Sequence, residues 1–263
     1  MMKIRQDEPF KYGYNVITTM DENVNNTMMD FGILKLARGQ AETDTEQKER
    51  AFLLIKGEVI LEWENMKETV QRNSFFDENP WVLHVPKGLE VNLTGVADGT
   101  EICVIKTVND QMFTPRLYNN EECASEDRGK GTMKEASTRV VRTVFDYSNA
   151  KHSNLVLGEV INYPGKWSSF PPHYHPQPEI YFYKFNRENG FGFCQLGDEA
   201  VQVKHNDTVK IFDVTHSQVT APGYAMYYVW VIRHLDGNPY ITPVFEPEHI
   251  WSSEKDAKIW PDK

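Results

Sequence analysis

The stretch Ile180-Tyr181-Phe182-Tyr183-Lys184-Phe185, then Asn186-Arg187-Glu188-Asn189, then Gly190-Phe191-Gly192-Phe193-Cys194-Gln195 decides the fold class. Aromatic and aliphatic runs bounded by Asn and Gly read as strand, turn, strand. The pattern extends in both directions. Downstream come Ala200 to Val203, Thr208 to Asp213, Gln218 to Ala221 and Met226 to Arg233. Upstream lie Thr138 to Phe145 and Leu155 to Tyr163, and earlier still Glu101 to Val108, Glu90 to Leu93, Trp81 to Val85, Glu58 to Trp63 and Ala51 to Ile55. Lys56-Gly57 reads as a tight turn between the last two. No helical periodicity is sustained, and short strands at regular spacing predict an all-β chain of sandwiches or barrels.

The element order repeats. A strand, a glycine turn, further strands and a late histidine occur around Gly57 and Leu83-His84-Val85-Pro86-Lys87-Gly88, and again around Gly190 and Thr215-His216. Two barrels in tandem are expected, over 1–118 and 138–263, joined by the polar, Glu-rich connection 119–137.

Immediately before the quoted stretch stands His173-Tyr174-His175-Pro176-Gln177-Pro178-Glu179. Side chains alternate faces on a strand, so His173 and His175 share a face and Glu179 is in phase with them. With the distant His216 they form a set of three imidazoles and one carboxylate. That set suits one divalent first-row metal, Zn, Mn, Fe, Ni or Co. Tyr181 and Tyr183 are in phase with Glu179, and Gln218 with His216. All three are candidates to donate to, or orient, a bound molecule, and equally to be barrel core. The isolated His84, His152, His205, His234 and His249 read as surface or hydrogen-bonded residues.

The composition sets outer limits. The chain has 263 residues, is 40% hydrophobic and 25% charged, and carries a net charge of -10. That balance disfavours nucleic acid and anionic membrane surfaces as partners. Cys103, Cys123 and Cys194 are widely spaced and form no C-x-x-C pair, so neither a disulfide framework nor a Cys-type zinc site is implied. The opening residues have no apolar segment and no run is long enough for a membrane span, so a cytoplasmic protein is expected. Barrel edge strands and many aromatics favour a homo-oligomer.

The order H-x-H-x₃-E, glycine turn, later histidine resembles the cupin superfamily of jelly-roll barrels. Longer segments narrow the resemblance. Pro164-Gly165-Lys166-Trp167-Ser168-Ser169-Phe170-Pro171-Pro172-His173, Glu179 to Tyr183, Asn186 to Phe193 and Ala221 to Trp230 are similar to segments of the bacterial 5-deoxy-glucuronate isomerases of inositol catabolism. Asp30-Phe31-Gly32-Ile33 and Leu36-Ala37-Arg38-Gly39 resemble that family's opening strand. The resemblance covers nearly the whole chain. Three features depart from it. Pro176-Gln177-Pro178 replaces a longer acidic insertion, Lys184 stands for an arginine, and Thr215-His216-Ser217-Gln218 stands for a Gly-Tyr-His-Pro segment.

The resemblance implies a bicupin. Its first barrel lacks metal, with His84 where one ligand remains, and its second holds the metal on His173, His175, Glu179 and His216. It implies a metal-dependent aldose–ketose isomerase acting on a small sugar acid, 5-deoxy-glucuronate, to give 2-deoxy-5-keto-gluconate. Alternatives are an isomerase of a related deoxy-keto-uronate, an Fe dioxygenase and a non-enzymatic sugar-binding cupin. A sugar acid needs a cation for its carboxylate, ideally an arginine. Lys166, Lys184, Arg142 and Arg233, on or beside the site-bearing strands, are the candidates.

Overall fold

The computed structural model describes residues 2–123 and 125–262. The regular secondary structure is almost all strand, with a single short α-helix, Pro247–Ile250, and two brief 3-10 turns among the described residues. It divides into two units, one of residues 7–123 and 144–155, the other of residues 2–6, 125–143 and 156–262. Part of the stretch read as a connection is strand, since Ser125–Arg128 pairs antiparallel with Arg139–Phe145.

The first unit is built on a long strand, Glu49–Trp63. It pairs with Val82–Val85 and Thr100–Thr107 in its first part, then with Met66–Arg72 and Val91–Gly95 in its second. Lys56-Gly57 is therefore not a hairpin turn. The strand runs through it with a register shift between Leu54 and Lys56. Gly57 sits at φ +102, and a methyl group there would come within 2.4 Å of Thr100 Oγ1. Only glycine accepts both, so the chain kinks without leaving the sheet. The true hairpin is one turn later, at Glu64-Asn65. Its second strand, Met66–Arg72, is largely exposed and polar, which hides it from a hydrophobicity reading.

The interior of this barrel is apolar. Leu34, Leu36, Phe52, Leu54, Val59, Leu61, Trp63, Leu83, Val85, Leu93, Ile102 and Val104 fill it. Each such side chain contributes about 1.5–3 kcal/mol on burial, and no ligand cluster lies among them. Leu83 and Val85 point inward, so the intervening His84 points to the other face. There it bonds to Glu49 at 2.7 Å and stacks on Phe145 at 4.5 Å between ring centroids. The expectation that His84 occupies a residual ligand position fails on this strand phase.

In the second unit, two sheets face each other as a jelly roll. One runs in the order Lys3–Ile4, Thr208–Ile211, Glu179–Phe185, Met226–Arg233, Leu155–Asn162, Arg139–Phe145, Ser125–Arg128. The other runs Glu199–Lys204, Phe191–Leu196, His216–Thr220, Trp167–Tyr174, Val244–Phe245. Neighbours in space are mostly not neighbours in sequence, which is how residues near 173, 179 and 216 meet. Between the sheets lie Val141, Val160, Tyr181, Tyr183, Phe185, Cys194, Leu196, Val203, Val209, Ile211, Met226 and Tyr228. All three cysteines are free and buried.

Candidate metal centre and substrate cavity

Strands from both sheets carry the candidate ligands. Glu179 opens Glu179–Phe185, with Tyr181 and Tyr183 in phase behind it, and all three are almost fully buried. On the opposite sheet His173 pairs with His216, and Ser168 with Gln218. The partners His216 and Gln218 are two residues apart, but His173 and Ser168 are five apart. Three extra residues therefore sit in Trp167–Tyr174, and the register shift falls there. It contains Ser169 at φ 53 and the cis peptide Phe170-Pro171. An odd number of extra residues flips the alternation. That flip lets both Ser168 and His173 face inward.

His175, Glu179 and His216 offer ligand atoms that all lie within 4.8 Å of one another. Glu179 Oε2 is 3.2 Å from His175 Nε2 and 3.4 Å from His216 Nε2. His173 is half-buried beside them, its ring 4.4 Å from that of His216, but it is not part of the close trio. His175 Nδ1 donates to the Gln177 carbonyl at 2.9 Å, and His216 Nδ1 to the Val214 carbonyl at 3.0 Å. A carbonyl can only accept, so Nδ1 carries a proton in both rings and each Nε2 faces the carboxylate. With both rings neutral, their Nε2 lone pairs would face an anion, an arrangement that a bound cation resolves. His216 Nε2 is buried with no hydrogen-bond partner. Burial and the neighbouring His216 pull the His173 imidazole down to about 3, so this ring is neutral. Burial pushes the Glu179 carboxyl up, but contacts from His175 and His216 outweigh it and hold the group at about 2. Imidazoles around one carboxylate are the donor set of a divalent metal.

His175 and Glu179 of the trio line a cavity of ≈ 510 Å³. His173, His175, Glu179, Tyr181, Ser168, Ser169, Tyr228 and Trp230 line its inner part, with Tyr240 and Phe245 near the ligand histidines. The Tyr181 hydroxyl meets Ser169 Oγ at 3.3 Å, and the Tyr228 and Ser168 hydroxyls lie 2.5 Å apart. Burial raises the Tyr181, Tyr183 and Tyr228 phenols, Tyr181 and Tyr183 well above their ordinary range, so all three stay protonated at neutral pH. Tyr183 and Gln218 do not line the cavity. Tyr183 donates to Gln218 Oε1 at 2.7 Å, and the Gln218 amide reaches Ser169 Oγ at 3.4 Å. The pair thus braces the cavity wall from behind.

None of the four expected cations lines the cavity. Lys184 lies on the far face of its strand, bonded to Asn206 at 2.8 Å. Arg142 reaches toward Glu159, 3.6 Å away, and Tyr227 donates to that same carboxylate. Arg233 donates to the His234 carbonyl. Lys166 rests over the Tyr163 ring. The cavity's cations are instead Arg139, Arg128 and Lys130. Arg139 and Arg142 lie on one strand buried on both faces, so their phase is invisible to alternation.

A jelly roll holding imidazoles and a carboxylate on the wall of a cavity defines a cupin. A model of the KduI/IolB family matches residues 3–252. The chain belongs to the KduI/IolB family. A 5-deoxy-glucuronate isomerase of Geobacillus kaustophilus is 28% identical over 261 residues, covering 91% of each chain. One from Bacillus subtilis is 25% identical, covering 82% of this chain and 84% of the relative. Among solved structures, an IolB-like protein from Salmonella typhimurium has a TM-score of 0.86 at 23% identity, covering 97% of this chain and 100% of that one. A mutant oxalate decarboxylase from Bacillus subtilis has a TM-score of 0.66 at 11% identity, over 93% and 79%, a likeness of fold. No helix among the described residues is long and apolar enough to cross a membrane.

Proposed function

We propose that the protein is a metal-dependent aldose–ketose isomerase converting 5-deoxy-glucuronate to 2-deoxy-5-keto-gluconate. The observation that carries this is the buried His175–Glu179–His216 trio, both Nε2 atoms facing the carboxylate, with His175 and Glu179 on the wall of a cavity sized for a small sugar acid. The relatives' activity supports it. His175, Glu179 and His216 would hold the metal, and His173, beside His216, would complete the set. Bound there, a divalent ion would act as a Lewis acid on adjacent oxygens of the sugar.

The chain's own residues do the rest. Tyr181, protonated and on the cavity wall, donates to a substrate oxygen as charge develops there. The Tyr228–Ser168 hydroxyl pair is a second donor a short distance along the wall. Tyr183 and Gln218 fix Ser169 and so the position of Tyr181. Trp230, Ile232 and Phe245 keep the cavity largely apolar and exclude water from the reacting carbons. The apolar, exposed Ile241, Val244, Ile250, Trp251 and Trp260 support self-association of the chain.

The test is to incubate metal-loaded protein with 5-deoxy-glucuronate and follow the aldehyde proton by NMR. Disappearance of the aldehyde with appearance of the ketone is expected. An unchanged spectrum at stoichiometric protein refutes the assignment. A related deoxy-keto-uronate is the second reading, favoured by the short Pro176-Gln177-Pro178 link before Glu179, and the same assay with that substrate separates the two.

A further inference from the structure

Arg139 is about 93% buried, with a relative exposure of 7%, and lines the cavity. Its guanidinium donates to the Ser137 carbonyl at 2.8 Å and Ser137 Oγ at 2.9 Å, with a long contact of 3.5 Å to the Phe170 carbonyl. No carboxylate among the described residues pairs with it. Arg142, the other buried arginine on this strand, has the Glu159 carboxylate 3.6 Å away. Arg128 and Lys130, the cavity's other two cations, are exposed and each is bridged to an acid, Glu126 at 3.1 Å and Asp127 at 3.0 Å. A buried cation without a counter-ion loses hydration and recovers little of it from neutral oxygens. A guanidinium has five donors in a rigid fork, and these three contacts use only part of them. The cavity's single acid, Glu179, is committed to the imidazoles, so nothing on the wall neutralises Arg139.

We infer that Arg139 is the anchor for the substrate's carboxylate, and that the cavity selects acidic over neutral sugars through it. The inference rests on the isomerase reading for the identity of the sugar, but not for the carboxylate. Arg139, Tyr181, Tyr228, His173, His175 and Glu179 line one cavity, with the Tyr181 ring 5.9 Å from that of His216 and 4.9 Å from that of Tyr228. A sugar acid held by its carboxylate on Arg139 thus presents its other end toward the histidines. Val141, in phase with Arg139 on the same strand, supplies an apolar wall beside the chain of the sugar. Ser137 fixes the fork from the rear, which makes it a positioning residue for the anchor.

The test compares glucuronate with glucose by titration calorimetry on the metal-loaded protein. Wild type is expected to bind glucuronate at least about 30-fold more tightly than glucose, a gap typical of a charge-assisted hydrogen-bond pair. Arg139→Gln should erase that gap while leaving glucose binding and metal content unchanged. Arg139→Lys should restore part of it, because charge remains while the fork is lost. In turnover of 5-deoxy-glucuronate, Arg139→Gln should raise KM by a similar factor and change kcat only a few-fold. Equal binding of glucuronate and glucose by the wild type overturns the inference, and that measurement needs no variant to fold. A preserved gap in Arg139→Gln overturns it as well. If the wild type shows the Arg139-dependent gap but no turnover, the anchor stands and the isomerase assignment falls. Turnover with no Arg139 dependence gives the reverse.

Discussion

Gly158→Ala couples the barrel's packing to its cavity. Gly158 lies in Leu155–Asn162, between the strands that carry Arg142 and Trp230. A methyl group there would come within 2.5 Å of Trp230 Cε2 and Cζ2 and 2.6 Å of the Arg142 carbonyl oxygen. Two effects of opposite sign compete. Alanine in a strand interior gains about 0.5–1 kcal/mol over glycine from the lower entropy of the unfolded chain. Overpacking costs about 1–3 kcal/mol. The carbonyl belongs to a neighbouring strand and cannot retreat, so relief has to come from the indole. Trp230 pairs with Tyr181 on its other side and lines the cavity, so it moves into the cavity. The net expectation is a loss of about 1–2 kcal/mol in urea unfolding, with a raised KM. Trp230→Phe, which shortens the ring, should recover part of that loss in the double variant, a coupling of about 1 kcal/mol. A Gly158→Ala protein as stable as wild type, or strict additivity with Trp230→Phe, refutes the packing argument.

His216→Ala and Glu179→Gln should each lower bound metal, read by elemental analysis after dialysis, by at least about 10-fold, with circular dichroism still that of a β protein. Retained stoichiometric metal in both would move the centre elsewhere. Tyr183→Phe strips Gln218 Oε1 of its buried donor and should cost about 1–3 kcal/mol in stability, read by urea denaturation, because the acceptor is left unsatisfied. No loss would mean Gln218 finds another partner. In the first unit, burial pushes the Glu49 carboxyl up, but hydrogen bonds from His84, Ser153 and the Asn154 amide win and hold it below its ordinary 4.5. A folded-state value below the unfolded one adds stability that is present above about pH 4.5 and lost as pH falls through the depressed value. Glu49→Gln should therefore be less stable than wild type at pH 7, with a difference that narrows toward pH 3. A constant difference across that range would deny the linkage.

Much of the architecture was readable because burial and spacing are local. Alternation alone put Glu179, Tyr181 and Tyr183 on one face, and the structure has them there. Glycine was harder. At Gly57 the residue reads the same whether the chain reverses or merely kinks, and only the pairing with Thr100–Thr107 and Met66–Arg72 distinguishes the two. Met66–Arg72 escaped notice because an edge hairpin facing solvent carries no apolar signal.

The sequence by itself determined that the fold class is all-β, that histidines and a carboxylate of metal-binding type flank one Pro-rich segment, and that its family segments are contiguous. These depend on residue type and near spacing. Tertiary structure alone decided which side chains share the cavity. The three-residue excess before His173 flips a strand's phase, and a strand buried on both faces gives Arg139 and Arg142 the same local pattern with opposite destinations. Facing direction in such strands is set by their neighbours across the barrel, which no local window contains.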